Sequence, residues 1–481
     1  MSALGLSAVV LLLTAAPAPS ATRSAESLFA VRAVLEAFYG PPYTPAQRDD
    51  LVRFLGTQGF NRYIYGPKND RQHRARWFEP YPPAMMAEFR HTVQLARRHG
   101  IAFEYALSAT ADFGYGSEED FRRFTSKLEA FRSIGVRSFS LFFDDMSAEF
   151  TRAEDRERYR TFAEAHADFA NRVRAWLASK DSRLRLTVCP TDYHGRAPFS
   201  PYLQELGERL HPDIDVFYTG PEVVSPTLTR ADADDFAKAL RRKPLLWDNY
   251  PVNDLAMRPE LHVGPVVGRA ADLAQGTRGI AINLMLQPEA SKIALRTWAD
   301  YLRAPEAYVP EASWRRALHA AAAPHHVELE HFAENSLGSA LNTDAAPRLR
   351  VLVEAAVRAL RQGSPPSGSP ELERLAAYLD ELDAAAYVLK TRMRRDTLRQ
   401  DLLPWLEALE QWTWVGKRAV EVLRQLEKGA PHERSLRWMN ETLSEARAND
   451  ERMTGDALVP LVALVHERVE KAKAPADSST R

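Results

Sequence analysis

Cysteine is almost missing: Cys189 is the only one in 481 residues. That excludes an intrachain disulfide, and with it a zinc site built on several thiolates. An excess of charge of either sign is missing too, with 63 Lys plus Arg against 64 Asp plus Glu. No electrostatic case arises for nucleic acid or for an acidic membrane surface, and neither is expected as a partner. The thirteen histidines contain no H-E-x-x-H arrangement, and no G-x-x-x-x-G-K-[ST] phosphate loop occurs. His325-His326 lies in a polar helical stretch and reads as helix surface rather than as a ligand pair. No cofactor and no metal are called for.

A long apolar run is also lacking. The N-terminal stretch from Ala3 to Ala16 is too short to span a bilayer comfortably. Small residues and prolines follow it, with Ala18-Pro19-Ser20 as a cleavage signal, so residues 1–21 read as a secretory signal peptide. The protein is accordingly expected to be secreted or periplasmic. No Lys or Arg precedes the apolar run, which leaves a misassigned start codon as the competing reading.

What is present is a repeat. Short runs rich in β-branched and aromatic residues recur at 31–40, 60–68, 102–109, 138–145, 183–190, 214–221, 244–252 and 279–286. Amphipathic stretches separate them. In residues 45–59, Leu51, Phe54 and Leu55 share one helical face, and Gly59 marks a stop. In residues 118–135, Phe121, Phe124, Leu128 and Phe131 do the same. Alternating strand and helix implies parallel strands with crossover helices, and eight units imply an α/β fold of the (β/α)8 TIM barrel type over residues 30–305. A doubly wound open sheet is the alternative, but its glycine fingerprint is absent. Residues 311–470 are helical throughout and read as an all-α helical bundle domain, with GSPPSGSP (363–370) as a loop between helices. A helix is expected to start at Pro404, with Trp405, Leu409 and Trp412 as a core stripe and barrel docking as the lesser reading. The tail 471–481 is expected to be disordered.

Sites in such barrels sit at the C-terminal ends of the strands. Those ends carry Glu36 to Gly40, then Lys68, Asn69 and Asp70, then Ser108 and, beyond it, Asp112. They continue with Asp144 and Asp145, Asp192 and Tyr193, the segment from Trp247 to Asp254, and Asn283. Carboxylates and amides suit the hydroxyls of a sugar, aromatic faces suit its apolar ring surface, and paired carboxylates suit acid–base cleavage of a glycosidic bond. Each residue alone also has a plainer reading: a strand-end Asp often caps the next helix, and Trp247 can simply plug the barrel.

The stretches EAFYG, YGPKNDRQHRARWFEPY, LFFDDM, CPTDYHG, YTGP, WDNYPVND and INLMLQPEASKIAL, in this order over residues 31–302, resemble glycoside hydrolase family 84. This is the O-GlcNAcase and bacterial β-N-acetylglucosaminidase family, and the helical module after the barrel fits it as well. The resemblance implies a retaining exo-β-N-acetylglucosaminidase in which the substrate's 2-acetamido oxygen is the nucleophile and an oxazoline is the intermediate. By that resemblance Asp144 accepts the acetamido N–H, and Asp145 is first the general acid and then the general base. Lys68 resembles the lysine at the 3-hydroxyl, and Tyr193 the tyrosine that donates to the acetamide oxygen. Trp247 resembles the wall of the acetamide pocket, and Asn249 the amide near the leaving oxygen. Asp254 resembles the clamp on the 4- and 6-hydroxyls, and Asn283 the last hydroxyl-binding amide. Position 37 is usually glycine in the family and contributes a backbone carbonyl, which Ala37 can supply where φ is negative. SATADF replaces the family's SPGLDI, and Asn283-Leu284-Met285 its NPM.

Two close carboxylates resist joint ionisation, which fits one acid and one anion. Adjacent strand residues point to opposite faces, so both carboxylates reach one substrate only where the strand gives way to a loop. The expected partner is a β-N-acetylglucosaminide glycan or glycoprotein, and the apolar helical module could support a homodimer. A non-catalytic barrel that binds N-acetyl sugars and a metal-dependent hydrolase are the competing functions.

Overall fold

The computed structural model describes residues 28–109, 113–145 and 149–473. Eight strands form a closed barrel in sequence order, every neighbouring pair parallel. They are β1 (Val31–Glu36), β2 (Arg62–Tyr65), β3 (Ala102–Leu107), β4 (Ser138–Phe142), β5 (Arg185–Cys189), β6 (Asp215–Tyr218), β7 (Leu245–Asp248) and β8 (Gly279–Asn283). The period of two along β1 sends Val31, Ala33, Leu35 and Ala37 into the barrel interior, where they meet Phe142, Cys189, Phe217 and Trp247. The alternate residues Val34, Tyr63, Tyr65, Tyr105 and Leu141 face the surrounding helices. Burial on both faces is why these strands read as apolar runs in the sequence.

The helices form where the chain supplies both an apolar stripe and a start signal. In α1 (Pro45–Gln58), Thr44 caps the first turn in a reciprocal capping box with Gln47, and Gly59 ends the helix at φ 83°. Leu51 and Leu55 are fully buried, each contributing about 1.5–3 kcal/mol. In α3 (Glu118–Ser133), Phe124, Leu128 and Phe131 are buried, while Phe121 is half-buried. Helix α2 (Pro83–Arg98) covers β2 and β3. The β4–β5 crossover holds two helices, α4 (Ala153–Arg158) and α5 (Phe162–Lys180). Helices α6 (Pro201–Arg209), α7 (Arg230–Leu240) and α8 (Pro288–Arg303) follow β5, β6 and β8. The unit after β7 departs from the expected repeat. It has no α-helix, only 3-10 turns at Leu255–Met257 and Leu273–Gln275, in a connection interrupted by Pro251, Pro259 and Pro265.

Beyond the barrel come α9 (Pro310–Ala322), α10 (His326–Glu334), α11 (Pro347–Arg361), α12 (Pro370–Arg392), α13 (Asp396–Glu427), α14 (Glu433–Ala448) and α15 (Val459–Lys473). GSPPSGSP is the loop between α11 and α12. Two expectations need correction. Helix α13 starts at Asp396, and Pro404 lies inside it. The proline removes one backbone N–H from the ladder, but buried Leu398 and Leu402 carry the apolar stripe across the preceding turn. Helix also continues to Lys473, into the segment expected to be disordered, because Val469 still packs in the bundle; residues 474–481 lie outside the described ones.

Trp405 serves both readings given to its stripe. It is buried in the helical core, and its indole N–H donates to Pro259 O of the β7–β8 connection at 2.9 Å. Trp314 donates likewise to Val263 O at 2.7 Å. Leu261, Val263, Met285, Ala290 and Ile293 of the barrel join the bundle's apolar cluster, so the two regions share one core. Among the described residues no helix is long and apolar enough to cross a membrane.

Candidate active site

A cavity of about 340 Å³ opens at the C-terminal mouth of the barrel. It is lined by the nine residues to which the family resemblance gives roles: Ala37, Lys68, Asp144, Asp145, Tyr193, Trp247, Asn249, Asp254 and Asn283. They come from the ends of six different strands.

Asp144 and Asp145 stand just past the end of β4. Asp145 has φ 55°, in the left-handed region that an L-residue other than Asn or Asp rarely occupies. That turn abolishes the strand alternation and lets two neighbouring carboxylates face one cavity. Their environments differ. Asp144 is buried, with Oδ2 ion-paired to the Lys68 ammonium. Its Oδ1 is buried with no hydrogen-bond partner among the described residues. Asp145 is a third exposed, lies 3.6 Å from Lys68 Nζ, and accepts a hydrogen bond from the Tyr39 hydroxyl at 2.5 Å. Burial works against the Lys68 charge, but the Asp144 and Asp145 carboxylates outweigh it and raise the amine above its ordinary value.

The floor and one wall are aromatic. Trp247 packs against Phe142 and Phe217, with ring centroids 5.2 and 5.3 Å away. Its indole N–H donates to Asn249 Oδ1 at 2.8 Å, which also accepts from Asn283 Nδ2 at 2.9 Å. Asn249 Nδ2 in turn donates to Val223 O at 2.8 Å. Asn249 is therefore a tie between two other site residues, while Asn283 Oδ1 is buried and without a partner among the described residues. Burial and the nearby Asp145 charge push the Tyr193 hydroxyl up, which keeps it a proton donor. Burial also raises the Asp254 carboxyl, although the Tyr39 backbone N–H donates to its Oδ2 at 2.7 Å. Ala37 is buried and outside the left-handed region, the condition under which alanine can stand in for glycine there.

Other strand-end residues turn away from the cavity and hold its loops. Glu36 is fully buried and accepts from Arg48 and from the Tyr43 N–H, fixing the loop after β1. Asp70 accepts from the hydroxyls of Tyr65 and Tyr81 at 2.6 and 2.7 Å beneath the Lys68 loop. Asp192 accepts from Ser200, and Asn253 holds Leu286 N–H and Glu260 O. Asp112 lies outside the described residues. Gly66, two residues before Lys68, has no room for a side chain: a Cβ there would sit 2.7 Å from Phe142.

Two residues that the sequence does not point to complete the site: Tyr39, and Arg74, whose guanidinium donates to the Tyr39 oxygen. Nor does the sequence point to the apolar lip of Val223, Val224, Leu255 and Met257. No local signal marks these; they reach the site through loop geometry. His325 and His326 sit at the start of α10, away from the cavity, and no three His, Cys, Asp or Glu side chains converge as a metal site among the described residues.

The protein O-GlcNAcases of Rattus norvegicus and Mus musculus are each 33% identical over 275 residues, covering 56% of this chain and 30% of theirs. The chain thus spans less than a third of the length of those curated relatives. An O-GlcNAc hydrolase mutant of Thermobaculum terrenum superposes with a TM-score of 0.84 at 32% identity, over 93% of this chain and 96% of that one. CpGH84B superposes with a TM-score of 0.82 at 26% identity, over 92% and 78%. The beta-N-acetylglucosaminidase family model matches residues 32–334, well over half of the chain, and the protein belongs to that family, glycoside hydrolase family 84.

Proposed function

We propose that this protein is a retaining exo-β-N-acetylglucosaminidase of the O-GlcNAcase type that works by substrate-assisted catalysis. The observation that carries the reading is Asp144 Oδ1, a buried acceptor without a partner among the described residues, beside a second, accessible carboxylate. An orphaned buried acceptor costs about 1–3 kcal/mol unless a ligand supplies a donor, and an acetamido N–H is such a donor. With Lys68 neutralising its other oxygen, Asp144 orients the acetamide so that its oxygen attacks the anomeric carbon. The Tyr193 hydroxyl donates to that oxygen, and the Trp247 face bounds the methyl group. Asp145 gives its proton to the departing glycosidic oxygen as the C–O bond breaks and the oxazoline closes. It then takes a proton from water, which adds to the same carbon and reopens the ring with retention. Asp254 and Asn283 grip the far hydroxyls, and the closed inner end of the cavity favours terminal sugars.

The test is aryl release from an aryl β-N-acetylglucosaminide by wild type, Asp144→Asn and Asp145→Asn. Turnover is expected in wild type and a loss of about 10²–10⁴-fold in both variants. Asparagine tolerates the left-handed backbone at 145, so the thermal midpoint of Asp145→Asn should stay near that of wild type. N-acetylglucosamine binding without turnover would replace the reading with a sugar-binding barrel. Activity abolished by a chelator and restored by a divalent cation would replace it with a metal hydrolase.

The reading includes export through residues 1–21, which lie outside the described ones; N-terminal sequencing of secreted protein should then begin near residue 22. It also includes a homodimer through the helical region, where Tyr387 and Trp414 are exposed; light scattering should give twice the chain mass.

A further inference from the structure

Tyr39 links the two ends of the cavity. Its backbone N–H donates to Asp254 Oδ2 at 2.7 Å, and its hydroxyl donates to Asp145 Oδ2 at 2.5 Å. Behind it, Arg74 Nη1 donates to the Tyr39 oxygen at 3.3 Å, and the guanidinium lies 5.6 Å from the ring centroid. The direction of this chain matters. Arg74 has only donors, so the phenolic oxygen is the acceptor there and the phenolic proton is directed at Asp145. A hydroxyl that accepts from a cation is a better donor to its next partner. A hydrogen bond donated to an ionised acceptor is the stronger kind.

Resting on the function proposed above, we infer that Tyr39, polarised by Arg74, is a positioning residue for the second half of the reaction. Asp145 begins the cycle protonated and ends the first step as a carboxylate, when its proton has gone to the leaving oxygen. Tyr39 stabilises that carboxylate through Oδ2 and so leaves Oδ1 for the proton traffic, first to the leaving group and then from the attacking water. The Asp145 carboxyl faces Lys68 from the loop after β2, Asp144 beside it, Tyr193 from the loop after β5 and Asp254 from the loop after β7. Tyr39 is the hydroxyl in hydrogen-bond contact with it, so removing that oxygen alters one partner and leaves the other groups in place.

The experiment is Tyr39→Phe, which keeps the ring over Arg74 and the backbone bond to Asp254. It is assayed on 2,4-dinitrophenyl N-acetyl-β-glucosaminide, whose leaving group needs little acid help and makes water attack limit turnover. On this substrate kcat should fall about 10-fold or more, the worth of one charge-assisted hydrogen bond. KM should fall in parallel, leaving kcat/KM within about threefold. On an alkyl glycoside, whose departure needs the acid and limits turnover, kcat should fall less than on the dinitrophenyl substrate. Arg74→Met keeps Tyr39 and should show the same pattern with a smaller drop. Equal losses of kcat/KM on both substrates, with KM unchanged or raised, would overturn the inference and leave Tyr39 as packing. No turnover by wild type on either substrate would overturn the functional reading itself.

Discussion

His166, buried behind the carboxylate pair, ties the stability of the fold to pH. It is buried on α5, its ring stacks on Phe143 at 4.1 Å, and its nitrogens contact the hydroxyls of Tyr202 and Tyr115 at 2.8 and 2.9 Å. Phe143 directly precedes the carboxylate pair, and its carbonyl accepts from Thr191 at 2.9 Å. Burial pushes the imidazole down to about 3. In the unfolded chain it would take up a proton near its ordinary 6.5, while the folded chain keeps it neutral. The unfolded state therefore binds more protons between those values, and stability is lost as pH falls from about 6.5 toward 3. The loss is on the order of a few kcal/mol, and buried His73, also held far below its ordinary value by burial, adds to it in the same direction. Urea midpoints at pH 7 and pH 4.5 should differ less in His166→Gln than in wild type. The same pH dependence in both would show that His166 is not a source of acid lability.

At the scale of elements, buried ion pairs fix the loops that carry the site. Asp248 ends β7 between Trp247 and Asn249, and Arg269 grips it with two bonds of 2.7 and 2.9 Å, both side chains buried. Arg269 also donates to Val267 O and Pro226 O, tying the loops after β6 and β7 together. Arg269→Ala would leave Asp248 buried and unpaired, at a cost of about 3–5 kcal/mol, and KM should rise as Trp247 and Asn249 lose their support. A cost under about 1 kcal/mol in denaturant titration would show that water replaces the guanidinium. This pair also marks the limit of what the sequence can say. The barrel was legible because strands buried on both faces become short apolar runs and helices keep a 3.6-residue stripe. The residues that line the cavity could be picked out because strand ends are fixed places in such a barrel and the motifs there resemble the family's. What joins them was not: Asp248 and Arg269 are 21 residues apart, and Tyr39 and Asp145 are 106 apart. The missing helix between β7 and β8 escaped for a related reason, since that connection takes its order from the helical region packed on it. The start of α13 was misplaced because a proline that suits a first turn was read as one, when packing kept it inside the helix.

Across the whole molecule, one side chain of the helical region reaches the start of α8, close to the cavity end of the barrel. Asp401, on α13, accepts the backbone N–H groups of Glu289 and Ala290 through Oδ2, at 2.7 and 3.1 Å. These are first-turn donors of α8, which the helix cannot satisfy itself. The capping group thus comes from a segment 112 residues away in the chain. Helix α8 begins five residues after Asn283, and the intervening loop is held by Asn253 at Leu286 N–H. This helix start is therefore one place where docking of the two regions and placement of Asn283 are coupled. Asp401→Ala should cost about 0.5–2 kcal/mol, the worth of an N-cap, and should raise KM for terminal N-acetylglucosaminides while leaving kcat nearly unchanged. Asp401→Asn keeps an acceptor oxygen and should retain most of both properties. If Asp401→Ala lowers stability with no change in KM, the cap holds the two regions together but does not reach the sugar; if it changes neither, other groups satisfy the start of α8.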